Sequence, residues 1–165
     1  LSRTSADLRP PASPVPGEDP AVLERARSLQ RAAECGRIQP LMRGKHLGLL
    51  CDDGTGPAAL LFQQAAAELG AQVAHIGMSL SARSPAQEVA HTARMLGRLY
   101  DAVECQGMDG VLVKQIGELS GIPVYDGLAN DDARLARLAS WLGPESDAAQ
   151  NRRYALQALL LHTIG

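Results

Sequence analysis

From residue 20 onward the apolar positions switch between two spacings, and the switching predicts the fold. Val22, Ala26, Leu29 and Ala33 recur every three or four residues behind Pro20, which suits a first helical turn, so a helix is predicted up to Gly36. Leu47-Gly48-Leu49-Leu50-Cys51 is then a short apolar run closed by Asp52-Asp53-Gly54-Thr55-Gly56-Pro57. That order reads as a buried strand, a tight glycine-rich loop and a helix opening near Pro57. The helix continues through Leu60, Leu61, Phe62, Ala65 and Ala66 to Gly70, a residue suited to the position after a helix end.

The alternation repeats. A strand is predicted over 72–76, a helix from Ser84 or Pro85 to about Tyr100, a strand over 102–105 and a helix over 109–119. A fourth strand follows over 122–125, then a helix capped by Asn130 or Asp131 and ending near Leu142. After a turn at Gly143-Pro144-Glu145-Ser146, a long amphipathic helix is predicted over 148–164, with Tyr154, Leu156, Leu159, Leu160 and Thr163 on or near one face.

Four strands alternating with helices predict an α/β fold, a four-stranded parallel sheet with helices on both faces. The loop after each strand opens at the carboxyl edge, where such sheets bind ligands. The 165 residues suit one domain and bury enough surface to fold without a metal or a disulfide. Residues 1–19 break the pattern: Pro10, Pro11, Pro14 and Pro16 stand among Ser, Ala and charged residues with no hydrophobic period. A disordered or extended arm is expected there.

Composition then narrows the function classes. Sixteen Lys and Arg against eighteen Asp and Glu give a net charge of −2, without the basic surplus of a nucleic-acid footprint. No apolar run reaches the ~18 residues of a membrane span, and no secretory apolar core opens the chain. Cys35, Cys51 and Cys105 show no CxxC spacing and read as thiols in a reducing compartment, so a cytoplasmic location is expected.

Few residues suggest chemistry on their own. The 52–57 loop is either a plain tight turn or a backbone N–H cradle for an anion at a helix start. Asp52 and Asp53 would repel a phosphate and no GKS/T lysine follows, which favours the turn. Asp52, Asp53 and Asp126 all end strands at one edge and form the one set suggestive of a divalent cation, although paired acids at strand ends are usually solvated. His46, His75, His91 and His162 have no ligand or triad spacing, and Ser79, Ser81 and Ser84 lie outside any nucleophile elbow. Arg94 and Arg98 read as structural and solvated arginines, and neither a metal nor a cofactor is expected.

Five stretches point to a family. Pro40-Leu41-Met42-Arg43-Gly44-Lys45-His46-Leu47 resembles the LxGK entry to the first strand of ornithine and aspartate carbamoyltransferases. Phe62 followed by Glu68-Leu69-Gly70-Ala71 resembles their SFE…LGA helix. Thr92-Ala93-Arg94-Met95-Leu96-Gly97-Arg98-Leu99-Tyr100-Asp101 is similar to the ornithine enzymes' DTARVLGRMYD, and Ile122-Pro123-Val124-Tyr125-Asp126-Gly127-Leu128 to VPVxNGL. Gln150-Asn151-Arg152-Arg153-Tyr154-Ala155-Leu156-Gln157-Ala158-Leu159 resembles the AENRxHTIKA helix that closes those enzymes. The resemblance implies a carbamoyl-phosphate domain over 20–142 and, over 143–165, a turn and helix packing back on it. A few residues around 143–147 then stand where the family has its amino-acid domain. It also implies a homo-oligomer, a trimer as in the relatives.

Carbamoyl transfer joins a neutral amine to a carbonyl whose leaving group is phosphate. It needs cations and N–H donors around the phosphate and a grip on the carbonyl oxygen. The family provides these from a Ser-Thr-Arg-Thr-Arg loop, a downstream arginine and a His-Pro-x-Gln tetrad. In register, these fall on Thr55-Gly56-Pro57-Ala58-Ala59, on Gln106 and on Ala133-Arg134-Leu135-Ala136, while His91 replaces the aspartate of DTAR. No catalytic residue carries over. The expected ligand-lining set is Thr55, Gly56, Gln87, His91 and Gln106. The sequence thus suggests a catalytically degenerate relative acting as an interaction or regulatory subunit for a protein partner. The alternatives are a small-molecule or anion sensor, and residual transferase activity with a partner chain.

Overall fold

The computed structural model describes residues 15–77, 79–144 and 146–164. Its helices begin where a short acid or a proline deals with the first unpaired N–H groups. Asp19 accepts from the Ala21 amide at 2.8 Å ahead of Pro20, Asp109 from Val111 and Leu112, and Asp131 from Arg134. These caps open α1 (Pro20–Glu34), α4 (Gly110–Ser120) and α5 (Asp132–Trp141). Among the described residues the remaining helices are α2 (Pro57–Glu68), α3 (Ala86–Leu99) and α6 (Ala148–Ile164), and a 3-10 turn covers Leu128–Asn130.

Strands β1 (His46–Leu50), β2 (Gln72–Ile76), β3 (Ala102–Cys105) and β4 (Val124–Asp126) form one parallel sheet in the order β2-β1-β3-β4. The fourth strand starts two residues later than the sequence pattern suggests. Pro123 has no N–H for the ladder, although its carbonyl still accepts from Val103 at 3.0 Å.

Two apolar clusters lie on the two faces of the sheet. Leu47, Leu49 and Cys51 point into one with α1, α2, α5 and α6. Leu50, Val103 and Cys105 point into the other with α3 and α4. Gly97 lets α3 approach α4 closely: a Cβ there would lie 2.2 Å from the Ser120 carbonyl oxygen.

α6 departs from the amphipathic reading. Every residue from Tyr154 to Leu161 is buried, because α1, α2 and α5 surround the helix. Its two buried amides, Asn151 and Gln157, are matched. Asn151 Nδ2 donates to the Gly143 carbonyl at 2.9 Å, and Gln157 Nε2 donates to the Ala65 carbonyl and to Glu68. Gln30 Nε2 donates to the Leu142 carbonyl at 3.2 Å, so α1 and α6 together satisfy the end of α5.

Residues 1–14 of the expected arm lie outside the described residues. Within residues 15–19, Val15 and Glu18 are buried while Pro16, Gly17 and Asp19 are exposed, and the Glu18 amide donates to the Val15 carbonyl at 3.2 Å, so this stretch turns back onto the fold. Among the described residues no helix is long and apolar enough to cross a membrane.

Candidate functional site

β1 and β3 are neighbours, yet the chain leaves β1 toward α2 on one face and β3 toward α4 on the other. Their carboxyl ends therefore flank the crevice where open α/β sheets accept ligands. Leu50 pairs with Cys105 in the ladder, which brings the loops after them, 51–56 and 106–109, to that edge.

The first loop is closed on itself. Asp53 Oδ1 accepts from the Thr55 amide at 2.9 Å and from its hydroxyl at 2.5 Å. Those two bonds hold the Asp53 carboxyl below its ordinary range. Gln63 Nε2 donates to the Gly54 carbonyl at 3.0 Å, and His75 Nε2 lies 2.9 Å from the Cys51 carbonyl oxygen. Gly56 caps α2 without a side chain, and its carbonyl accepts from Leu60. Thr55, the hydroxyl expected to face a ligand, is thus engaged by a carboxylate in a plain turn. Asp52, Asp53 and Asp126 do not meet as a metal-holding group, and no cluster of three or more such side chains occurs among the described residues.

Beside the N-terminus of α2 lies a cleft of about 420 Å³, lined by Pro57, Ala58, Leu61, Ala129, Asn130, Asp132 and Arg152. Pro57 offers no N–H and the two alanines after it offer no charge. The lone guanidinium of this lining, Arg152, is paired with Asp132.

Glu104, a carboxylate with no exposed surface, ties the second loop to the 3-10 turn that follows β4. It accepts from the Leu128 amide at 2.8 Å, the Ala129 amide at 2.9 Å and Gln106 Nε2 at 3.3 Å. Burial lifts its pKa to about 6, against the lowering effect of those bonds. Gln106 is accordingly turned inward as a donor to Glu104. Burial, followed by the nearby charges of Glu104 and Asp126, pushes the Cys105 thiol up to about 12, and burial with Asp53 and Asp52 also raises Cys51. Neither cysteine is poised as a thiolate.

Arg134, in the first turn of α5, donates to Glu18 through Nε at 2.5 Å and Nη2 at 3.1 Å. Gln87 and His91 are exposed on α3, which packs on the opposite face of the sheet from α2. The structure therefore brings Thr55, Gly56 and Gln106 to one edge and leaves Gln87 and His91 on α3, and none of the five lines the cleft beside α2. Two further residues, Glu104 and Glu18, hold the elements around this edge without any motif to mark them. The signal for the first is a lone acid in the apolar run Ala102–Cys105; the second stands in a proline-rich stretch with no hydrophobic period.

No family model matches the chain. It is 35% identical over 130 residues to the catabolic ornithine carbamoyltransferase of Mycoplasma capricolum subsp. capripneumoniae, an alignment covering 79% of this chain and 42% of that one. The ornithine carbamoyltransferase of Pyrococcus furiosus superposes with a TM-score of 0.61 at 25% identity, over 74% of this chain and 39% of its own. The aspartate transcarbamoylase of Trypanosoma cruzi shares the fold, with a TM-score of 0.56 at 18% identity over 74% of this chain and 39% of its own. The chain therefore spans about two fifths of the length of the relatives it matches. Across that span, sequence and fold agree that it resembles the ornithine and aspartate carbamoyltransferases.

Proposed function

We propose that this chain is a carbamoyltransferase-like protein that does not itself transfer carbamoyl groups and acts as an interaction or regulatory subunit. The observation that carries the reading is the charge around the start of α2. Where the resemblance places a phosphate cradle, the chain has Thr55 bound to Asp53, then Gly56, Pro57, Ala58 and Ala59. Where it places a His-Pro-x-Gln tetrad, the one cation, Arg134, is bound in a bidentate pair with Glu18. Losing one preorganised oxyanion donor typically costs about 2.7–4 kcal/mol of transition-state stabilisation. Losing several together removes useful rate enhancement even though such effects do not add.

In this reading residues 20–142 are the carbamoyl-phosphate-domain-like unit and the 143–165 turn and helix close it. The packing of α6 against α1, α2 and α5 supports that division. The same reading has the protein in the cytoplasm with Cys35, Cys51 and Cys105 as free thiols, and assembling with copies of itself or a partner. Exposed apolar side chains support an assembling surface: Met95 and Leu99 one turn apart on α3, and Val111 and Leu119 on α4.

Citrulline formation from carbamoyl phosphate and ornithine tests the reading. Turnover indistinguishable from the uncatalysed rate supports it; turnover by the purified chain overturns it. Light scattering tests the assembly, with a trimer expected and a monomer at high concentration counting against it.

A second reading, a sensor for a less anionic ligand, is favoured by the cleft beside α2, whose lining is largely neutral. Of the five residues expected to line such a site, Thr55, Gly56 and Gln106 lie at the neighbouring sheet edge and Gln87 and His91 lie on α3, so a ligand of that cleft would meet Asn130, Asp132 and Arg152 first. For Gln106 to serve, its amide must exchange Glu104 for the ligand.

A further inference from the structure

A separate cleft lies beside the link that precedes β1, at the opposite end of that strand from its carboxyl-end loop. Residues 35–41 form the first part of the link between α1 and β1, and with α1 and α6 they line a cleft of about 450 Å³. Its volume falls within the range of small-molecule sites. Leu29, Ile38, Leu41 and Tyr154 give it an apolar lining, and Ile38 and Leu41 are 48% and 46% exposed to solvent.

Three arginines, Arg25, Arg31 and Arg37, also line this cleft. Among the described residues none of their guanidinium groups has an ion pair or hydrogen bond, whereas Arg134, Arg152 and Arg153 are each paired with a carboxylate. Negative charge does occur nearby. Glu68, Glu34 and Asp147 all act on Tyr154, but Glu68 is already bound by Arg153 and Gln157, and none of the three lines the cleft. Three unpaired cations around an apolar floor are complementary to one kind of occupant.

We propose that this cleft binds an amphipathic organic anion, with an aliphatic or aromatic body against Ile38, Leu41 and Tyr154 and a carboxylate or phosphate head among Arg25, Arg31 and Arg37. Each exposed charge pair contributes little alone, so both the body and the head are needed for retention. The site is separate from the proposed function and stands whether or not the chain binds carbamoyl phosphate.

Cys35 supplies the readout. It lines the cleft and is exposed, while Cys51 and Cys105 are buried. The full chain is alkylated with iodoacetamide, a neutral reagent, in the presence of decanoate, acetate or decyltrimethylammonium, and modification of Cys35 is followed by mass spectrometry. Decanoate is expected to slow alkylation saturably, while acetate, which lacks the body, and the decyl cation, which reverses the charge, do not. The triple variant R25Q/R31Q/R37Q is expected to need about tenfold more decanoate for the same protection, the sum of three exposed charge pairs. All three positions are exposed, and an unchanged far-ultraviolet spectrum verifies that the variant folds. Equal protection by the decyl cation, undiminished protection in the triple variant, or no protection by decanoate would each overturn the proposal.

Discussion

Arg134 meets Glu18 through two parallel contacts, Nε to Oε1 at 2.5 Å and Nη2 to Oε2 at 3.1 Å. The pair joins the segment before α1 to the first turn of α5 across 116 residues of sequence. Glu18 is almost fully buried and Arg134 is one-third exposed, so the acid depends on the base for its charge compensation. The contact fastens two elements that are far apart in the chain.

Removing Arg134 strands the buried acid. Arg134→Ala should destabilise the fold by about 2 kcal/mol, below the usual cost of breaking a fully buried pair because the arginine is partly solvated. The double variant E18A/R134A should lose less than the sum of the two single variants. Urea unfolding midpoints measure both. An unchanged midpoint for Arg134→Ala would show that the pair does not hold α5.

Glu104 makes stability depend on pH with a definite sign. Its pKa in the fold is about 6, above the ordinary 4.5, so the folded protein binds more protons than the unfolded chain between those values. Its contribution is fully present below about 4.5 and is lost as pH rises through 6, by about 2 kcal/mol in all. Glu104→Gln removes this group's titration. Unfolding of both proteins at several pH values should show the natural chain losing stability relative to the variant across this window. A pH-independent difference between them would contradict the raised pKa.

Gly97→Ala sets two effects against each other. Alanine is the better helix former by about 1 kcal/mol. The new methyl, however, would lie 2.2 Å from the Ser120 carbonyl oxygen, which is backbone and cannot swing aside. Overpacking of this kind costs about 1–3 kcal/mol, so net destabilisation is expected in a thermal melt. A raised melting temperature would show that α3 and α4 separate easily.

The parts of this fold written in local pattern could be read from the sequence. The strands Gln72–Ile76 and Ala102–Cys105 and the helix Ala148–Ile164 match their expected bounds. In each case the apolar period stops at a turn-forming or polar residue. What the pattern lacked was set by distant neighbours. α6 looks amphipathic alone and is buried because α1, α2 and α5 surround it. The 3-10 turn Leu128–Asn130 exists because Glu104, more than 20 residues earlier, accepts its first amide protons. Helical spacing put Gln87 and His91 on one side of α3, but only the crossover topology says which face of the sheet that helix covers.

Isothermal titration of carbamoyl phosphate into the folded chain is the most direct test of the electrostatic claim. Thr55 is tied to Asp53, Arg134 to Glu18 and Arg152 to Asp132, which leaves the start of α2 without an available cation among these groups. The predicted result is no saturable heat at millimolar ligand; tight binding displaced by inorganic phosphate would contradict it.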